Sequence, residues 1–138
     1  MEQDLRSAEF GPPGPLRDQL VRLILDGQKT ATSSLVSDYE IEGEPLPEPG
    51  ELELLLDSND RGVAILETTA VNIVPLGSIP PSHVTAEGEG HTSVADWRRY
   101  HEEFWAANSS TGQLDDCTLV VMQEFQVVER LLVHQHPN

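Results

Sequence analysis

Strand-forming segments joined by short turns occupy the middle and the end of this 138-residue chain. Residues 51–57 and 63–74 are rich in aliphatic side chains, and the polar residues 58–62 between them are typical of a turn. A valine-rich segment at 117–128 predicts another strand, and residues 30–36 favour an extended backbone because threonine and valine suit a pleated surface. The strands do not alternate regularly with helices, so hairpins are expected rather than β-α-β units.

Two segments have the apolar spacing of amphipathic helices. The first begins at Pro15 and ends at Gly27, with Leu16, Leu20, Leu23 and Ile24 at helical spacing. The second begins after Thr92 or Ser93, and its apolar stripe contains Val94, Trp97, His101, Phe104 and Trp105. The pattern predicts an α+β domain whose sheet curls into a small β-barrel, with two principal helices at its mouth and flank.

The remaining segments suggest how the chain is divided. Residues 1–15 lack apolar periodicity and contain a glycine-proline run, so they are predicted to form a flexible leader. Residues 16–130 are expected to form one folded domain, and residues 131–138 a C-terminal tail. Residues 38–50 are rich in proline and glutamate, which predicts a loop that borders a cleft.

The acidic composition restricts the partners. Aspartate and glutamate number 24 against 8 lysine and arginine residues, which gives a formal net charge of -16. Such a charge repels phosphate backbones and argues for a small substrate or a short single strand over duplex DNA. No apolar run approaches the ~20 residues of a membrane helix, and no signal-peptide core is present, so the expected location is the cytoplasm. The sequence carries no signal for the oligomeric state.

Lys29 is the only lysine in the chain. A lysine ammonium can lose its proton when it is desolvated, so it can serve as a base or a nucleophile as well as a point charge. The alternative is that this lysine merely survives by chance in a lysine-poor composition. A single cysteine, Cys117, excludes an internal disulfide.

Four stretches carry a resemblance to a known family. They are residues 27–32 (GQKTAT), 46–50 (LPEPG), 87–90 (EGEG) followed by Ser93, Trp97, Arg98, His101 and Phe104, and 120–125 (VVMQEF). In order and spacing the chain resembles the ASCH domain, whose fold is similar to the RNA-binding PUA domain. The resemblance implies a PUA-like fold and one of three functions: deacylation of N4-acetylcytidine, single-strand ribonuclease activity, or RNA binding alone.

In the amidohydrolase branch, the resemblance implies that a lysine, a threonine three residues later and a glutamate before the second helix act together. These are Lys29, Thr32 and Glu87, with Glu89 as a competitor for the role of Glu87. The residues expected to contact the substrate are Thr30, Tyr39, Glu89 and Arg98. The EGEG segment is also similar to the ribonuclease branch.

Each of these residues has a simpler interpretation. Glu87 and Glu89 fit a solvated approach to a helix N-terminus, Arg98 fits a surface pair with Glu102, and Tyr39 fits ordinary packing. His101 lies on the apolar stripe, which predicts a buried, hydrogen-bonded histidine.

The chemistry leaves two arrangements open. A neutral Lys29 can take the proton of the Thr32 hydroxyl, or a charged Lys29 can stabilise an oxyanion while Glu87 acts as the general base on Thr32 or water. On an extended segment, residues i and i+3 face opposite sides, so Lys29 and Thr32 converge only where the chain turns or bulges.

The leading prediction is therefore a hydrolase that acts on an N4-acylcytidine nucleoside without a cofactor. The alternative is a single-strand ribonuclease or an RNA-binding protein of the ASCH family, which uses Lys29, Arg98 and Arg99. The ribonuclease alternative allows Mg²⁺ bound by Glu87 and Glu89. The histidines lack ligand spacing, so no metal site is predicted from them.

Overall fold

A curled five-stranded sheet forms the centre of the molecule. The computed structural model describes residues 5–109 and 111–131. The strands are β1 (Arg6–Ala8), β2 (Ala31–Leu35), β3 (Leu52–Leu56), β4 (Gly62–Pro75) and β5 (Leu119–Arg130). Their order in the sheet is β1-β3-β4-β5-β2; β1 runs parallel to β3, and the other neighbours are antiparallel. The sheet forms a half-barrel, which confirms the predicted α+β, PUA-like class.

Four helices pack with this sheet. They are α1 (Pro15–Leu25), α2 (Val36–Glu42), α3 (Pro81–Glu87) and α4 (Val94–Asn108). Helices α1 and α4 are those predicted from apolar periodicity, and Ser93 caps α4 by accepting a hydrogen bond from the Asp96 amide. Helix α2 corrects the prediction of a continuous loop over residues 38–50. It has no buried residue, so it lacks the apolar stripe by which a helix is recognised.

The prediction of a flexible leader over residues 1–15 is wrong for Arg6–Ala8. These residues form β1, which pairs with Glu53, Leu54 and Leu55 of β3. The backbone ladder and the burial of Ala8 hold this strand, and three residues are too few for a recognisable alternation. Apart from Leu131, the predicted tail over residues 131–138 lies outside the described residues.

Two apolar clusters form the core. One packs α1 against the sheet through Val21, Ile24, Leu55, Leu66 and Phe125; the other packs α3 and α4 through Leu35, Val84, Trp97, Trp105 and Val120. Each large side chain buried in this way contributes about 1.5–3 kcal/mol. The pairing of β4 with β5 shifts register between Ile65 and Leu66 and between Thr68 and Ala70. Such bulges bend a strand, which explains the curl of the sheet.

Strand β2 lies at an edge of the sheet. Its neighbours in the chain are the segment after α1 and the helix α2, so the GQKTAT segment leads directly into this edge. Within the described ranges, 5–109 and 111–131, no helix has the length and apolar character needed to cross a membrane.

Candidate active site

A cavity of about 440 Å³ opens beside β2. Four residues predicted from the sequence line it: Lys29, Thr32, Tyr39 and Glu89. Other polar residues in its wall include Arg6, Ser33, Ser34, Glu53, Tyr100, His101 and Gln123. The size lies in the range of small-molecule sites, which are concave and contain a few convergent polar groups.

Lys29 is buried in the wall of this cavity, with 1% of its surface exposed. Its Nζ donates to the Ala31 carbonyl oxygen at 2.8 Å and to Glu89 Oε2 at 2.6 Å. An isolated buried charge is costly, whereas a buried ammonium with a carboxylate partner is stabilised. These contacts favour the charged form of Lys29 over the neutral base.

The backbone fixes Lys29 between α1 and α3. Gly27 ends α1 with a φ of 82°, and the amide of Lys29 then donates to the Leu23 carbonyl at 3.1 Å. The next amide, that of Thr30, donates to the Ala86 carbonyl of α3 at 2.8 Å. Lys29 therefore lies on a segment whose backbone is hydrogen-bonded to α1 on one side and to α3 on the other.

Glu87 ends α3 and is also 1% exposed. Its Oε2 accepts a hydrogen bond from Ser33 Oγ and lies 3.1 Å from His83 Nε2. Its Oε1 lies 3.3 Å from His101 Nε2, a contact that does not meet the geometry of a hydrogen bond. Burial raises the pKa of Glu87, but the contacts with His101 and His83 and the charge of Lys29 outweigh it and hold the pKa well below its ordinary value.

His101 connects Glu87 with the cavity. Its Nδ1 lies 2.8 Å from the Trp97 carbonyl oxygen, and its ring stacks on the Trp97 ring with 4.1 Å between centroids. The two ring nitrogens of His101 therefore face two acceptors, a carbonyl oxygen and a carboxylate. The expectation of a buried, hydrogen-bonded histidine is confirmed, and the ring also forms part of the cavity wall.

Gly88 brings the two carboxylates to Lys29. It follows α3 with a φ of 63°, and a Cβ at this position would lie 1.9 Å from the Gln28 carbonyl oxygen. Only glycine fits both the left-handed backbone and this close approach. The glycine between Glu87 and Glu89 thus allows the end of α3 to pack directly on the segment that carries the lysine.

Thr32 and Glu87 do not contact each other through a hydrogen bond. Thr32 lies opposite Gln123 across the β2–β5 ladder, whereas the next residue, Ser33, bonds to Glu87. Successive strand residues point to opposite faces, so the Thr32 hydroxyl and the Glu87 carboxylate lie on different sides of β2. The Thr32 hydroxyl makes no hydrogen bond to any residue that the structure describes, which leaves it available to a ligand in the cavity.

Two predicted substrate contacts lie elsewhere. The Thr30 hydroxyl donates to the Ala86 carbonyl at 3.2 Å, and Thr30 does not line the cavity. Arg98 also lies outside it and bonds to Glu102 at 3.1 Å and to Asp116 at 2.6 Å, which is the surface pairing weighed as its alternative. Tyr39 does reach the cavity, where its hydroxyl lies 3.0 Å from Ser34 Oγ.

Sequence reasoning missed Ser33 and His83. His83 precedes Glu87 by four residues on α3, a spacing that places both on one helix face. That signal becomes visible only once α3 is recognised as a helix. Among residues 5–109 and 111–131, no group of three or more histidine, cysteine, aspartate or glutamate side chains is placed to hold a metal ion.

The curled sheet and the lysine-centred cavity define an α+β domain of the PUA-like class. The chain belongs to the ASCH domain family, whose family model matches residues 6–129. A search of curated proteins found no match.

Two crystal structures are similar over most of the chain. One is a protein of Enterococcus faecalis V583, with 30% sequence identity, a TM-score of 0.78, and coverage of 96% of this chain and 86% of that one. The other is an ASCH domain from Lactobacillus crispatus JV V101, with 26% identity, a TM-score of 0.81, and coverage of 91% of this chain and 80% of that one.

Proposed function

We propose that this protein hydrolyses the exocyclic amide of an N4-acylated cytidine nucleoside. The observation that carries the proposal is the buried Lys29 ammonium, which shares a small cavity with Thr32 and Glu89. The resemblance to the amidohydrolase branch of the ASCH family supplies the substrate class.

The contacts of Lys29 support an electrostatic role. Attack on an amide carbonyl creates an oxyanion, and a fixed positive charge in a desolvated wall stabilises that oxyanion more than the ground state. Lys29 is held in place by Glu89 and the Ala31 carbonyl, so little reorganisation is needed when the charge develops. Its ammonium therefore takes the position of an oxyanion stabiliser.

Thr32 provides the nucleophile in this scheme, and Glu89 the base. The Thr32 oxygen forms a bond to the acyl carbon as Glu89 accepts the hydroxyl proton; the carbon–nitrogen bond then breaks, and the proton passes to the departing cytidine amino group. Water attacks the resulting acyl-threonine ester, returns a proton to Thr32 through Glu89, and releases the carboxylic acid. Glu89 takes the role of base because Glu87 is already committed to Ser33, His83 and His101.

The charge of the cavity supports a nucleoside rather than RNA. Its described lining contains the carboxylates of Glu9, Asp38, Glu42, Glu44, Glu53 and Glu89 against the cations of Arg6 and Lys29. A neutral nucleoside enters such a cavity without repulsion, whereas a phosphodiester does not. The contacts of Glu87 and Glu89 also disfavour Mg²⁺, because Glu89 pairs with an ammonium and Glu87 with hydrogen-bond donors.

The test compares both substrate classes on the same preparation. Purified protein is incubated with N4-acetylcytidine and, separately, with labelled single-stranded RNA in the presence and absence of Mg²⁺. We expect equimolar cytidine and acetate and intact RNA. Cleaved RNA without acetate release would assign the cavity to the ribonuclease alternative.

A pair of substitutions tests the role of Thr32. Thr32→Val removes the hydroxyl at nearly constant shape, and Thr32→Ser keeps it. Acetate release should be lost in the first variant and retained in part in the second. Equal rates in Thr32→Val and the unmodified protein would exclude an acyl-threonine intermediate.

A further inference from the structure

We infer that the cavity contains a ribose-binding subsite, built on Glu53 and Gln123, which recognises the adjacent 2′- and 3′-hydroxyls of a nucleoside. That the base of this nucleoside is cytosine rests on the proposed function, whereas the recognition of its two hydroxyls does not. Hydrogen bonds fix these two side chains in the cavity wall.

Gln123 is a buried residue with a defined amide orientation. It is 6% exposed, and its Nε2 donates to Thr68 Oγ1 at 2.8 Å and to Glu53 Oε1 at 3.3 Å. A carboxylate accepts and does not donate, so the NH₂ group must face Glu53. The carbonyl oxygen of Gln123 makes no hydrogen bond to the described residues, and it is the part of this amide that remains for a ligand.

Glu53 adds a second acceptor beside it. Its Oε1 receives the Gln123 amide, while its Oε2 lies 4.0 Å from Arg6 Nη1, beyond hydrogen-bond distance. Burial raises the pKa of Glu53, with a further increase from Glu51 that the Gln123 hydrogen bond and Arg6 only partly offset. The carboxylate is therefore partly desolvated and is short of donors.

An amide oxygen and a carboxylate oxygen side by side require a ligand that brings hydrogen-bond donors. Two adjacent hydroxyls supply them, one for Glu53 Oε2 and one for the carbonyl oxygen of Gln123. A phosphate brings only acceptors and negative charge, and the acidic wall repels it. The subsite therefore suits the ribose of a nucleoside that lacks a phosphate.

The subsite adjoins the proposed reacting hydroxyl. Gln123 pairs directly with Thr32 across the β2–β5 ladder. Side chains of such pairs have Cβ atoms about 4.5–5.5 Å apart. One nucleoside can therefore contact the Glu53–Gln123 pair with its ribose while another part of it lies near Thr32.

The chain offers a matched control pair. Glu67 accepts a hydrogen bond from Gln126 Nε2 at 3.0 Å, again between neighbouring strands of the same sheet. Neither residue lines the cavity. Glu67→Gln therefore makes the same chemical change as Glu53→Gln at a place where no ligand is expected.

The experiment measures binding, independently of hydrolysis. Isothermal titration calorimetry compares cytidine, 2′-deoxycytidine and cytosine on the unmodified protein, Glu53→Gln and Glu67→Gln, with adenosine and 2′-deoxyadenosine as a second pair. A hydrogen bond to a charged group contributes enough for roughly a tenfold or larger change in affinity. We expect at least about a tenfold preference for ribose over deoxyribose, lost in Glu53→Gln and retained in Glu67→Gln.

The outcomes separate the two proposals. Equal binding of ribose and deoxyribose forms by the unmodified protein would overturn the subsite, as would a ribose preference that persists in Glu53→Gln. Ribose-dependent binding without acetate release would overturn the proposed hydrolysis and leave the subsite standing. Acetate release without ribose preference would overturn the subsite and leave the proposed hydrolysis standing. Urea unfolding of Glu53→Gln verifies that the variant is folded.

Discussion

At the scale of single residues, Glu87 has the most strongly constrained environment in the site. Its carboxylate is buried and contacts Ser33, His83 and His101 at once. Such a carboxylate is stabilised as an anion and is a weak proton acceptor. We therefore interpret Glu87 as a residue that positions β2, α3 and α4 relative to one another, which differs from the role that the family resemblance implies.

Glu87→Gln should destabilise the fold by on the order of 3 kcal/mol, because it removes one partner from a buried charged network. The folded-state pKa of Glu87 lies well below its ordinary value of 4.5, so the unfolded chain binds this proton at higher pH than the folded protein does. The stability that Glu87 contributes is therefore present above about pH 4.5 and declines as the pH falls further.

Urea unfolding between pH 7 and pH 3 measures both effects. Glu87→Gln should be less stable at pH 7 and should lose less stability on acidification than the unmodified protein. Glu103→Gln, at an exposed position of α4, is the control and should change neither. Equal acid sensitivity in all three proteins would contradict the role of Glu87.

Residues that the sequence singled out in separate segments come together in the fold. Lys29, Thr32, Tyr39 and Glu89 do line one cavity. Arg98 lies outside the cavity and makes the surface pair with Glu102 that the sequence left open as its alternative. Its second partner, Asp116, could not be predicted, because Asp116 lies in a separate segment whose position depends on the folded sheet. The role of His83 was not predicted either, since its relation to Glu87 requires a helix that the pattern does not reveal.

At the scale of elements, the end of α3 determines the site. Gly88 allows this helix end to contact the Gln28–Lys29 backbone, with Glu87 before it and Glu89 after it. The long elements, α1, α4, β4 and β5, were predicted because they bury a regular apolar pattern. The short elements β1, α2 and α3 were not, since none of them shows a recognisable apolar pattern, whereas the equally short β2 and β3 were predicted from their strand-forming composition.

Gly88→Ala should destabilise the protein more than Gly43→Ala. Both glycines end a helix with a left-handed backbone, with φ of 63° and 68°, so alanine costs about 1–2 kcal/mol at either position. Only at Gly88 does the added Cβ also meet a backbone oxygen, whereas no atom lies within 4 Å at Gly43. Urea midpoints of the two variants measure the difference; equal losses would show that α3 does not pack on the lysine segment as described.

At the scale of the whole molecule, the curl of the sheet shapes the cavity, and the acidic composition of the chain sets the charge of its wall. The half-barrel sheet encloses a cavity of about 440 Å³, and its described lining is acidic like the chain as a whole, whose net charge is -16. Composition predicted this negative charge. It did not predict the cavity wall, because β1 and β3 bring Arg6 and Glu53 to it from separate parts of the chain.

Salt should distinguish neutral from charged substrates. Turnover of N4-acetylcytidine should change less than about twofold between 50 and 500 mM NaCl, because a neutral molecule is not repelled. Its 5′-monophosphate should be turned over at least about tenfold less efficiently at low salt and should improve as salt screens the acidic surface. Initial rates of cytidine release measure both, and a phosphate form that is preferred at low salt would contradict the proposed charge selection.

The proposed role of the Lys29 ammonium is to stabilise the oxyanion formed from an acylated nucleoside. A direct test is kcat for acetate release from N4-acetylcytidine by Lys29→Met, with Lys29→Met/Glu89→Gln, which also removes the proposed base, as a second variant that leaves no unpaired carboxylate. Arg98→Met, a surface cation outside the cavity, is the control. We predict a loss of about 100-fold or more in both Lys29 variants and no more than a twofold change in the control. A folded Lys29→Met protein that releases acetate at the unmodified rate would contradict the account.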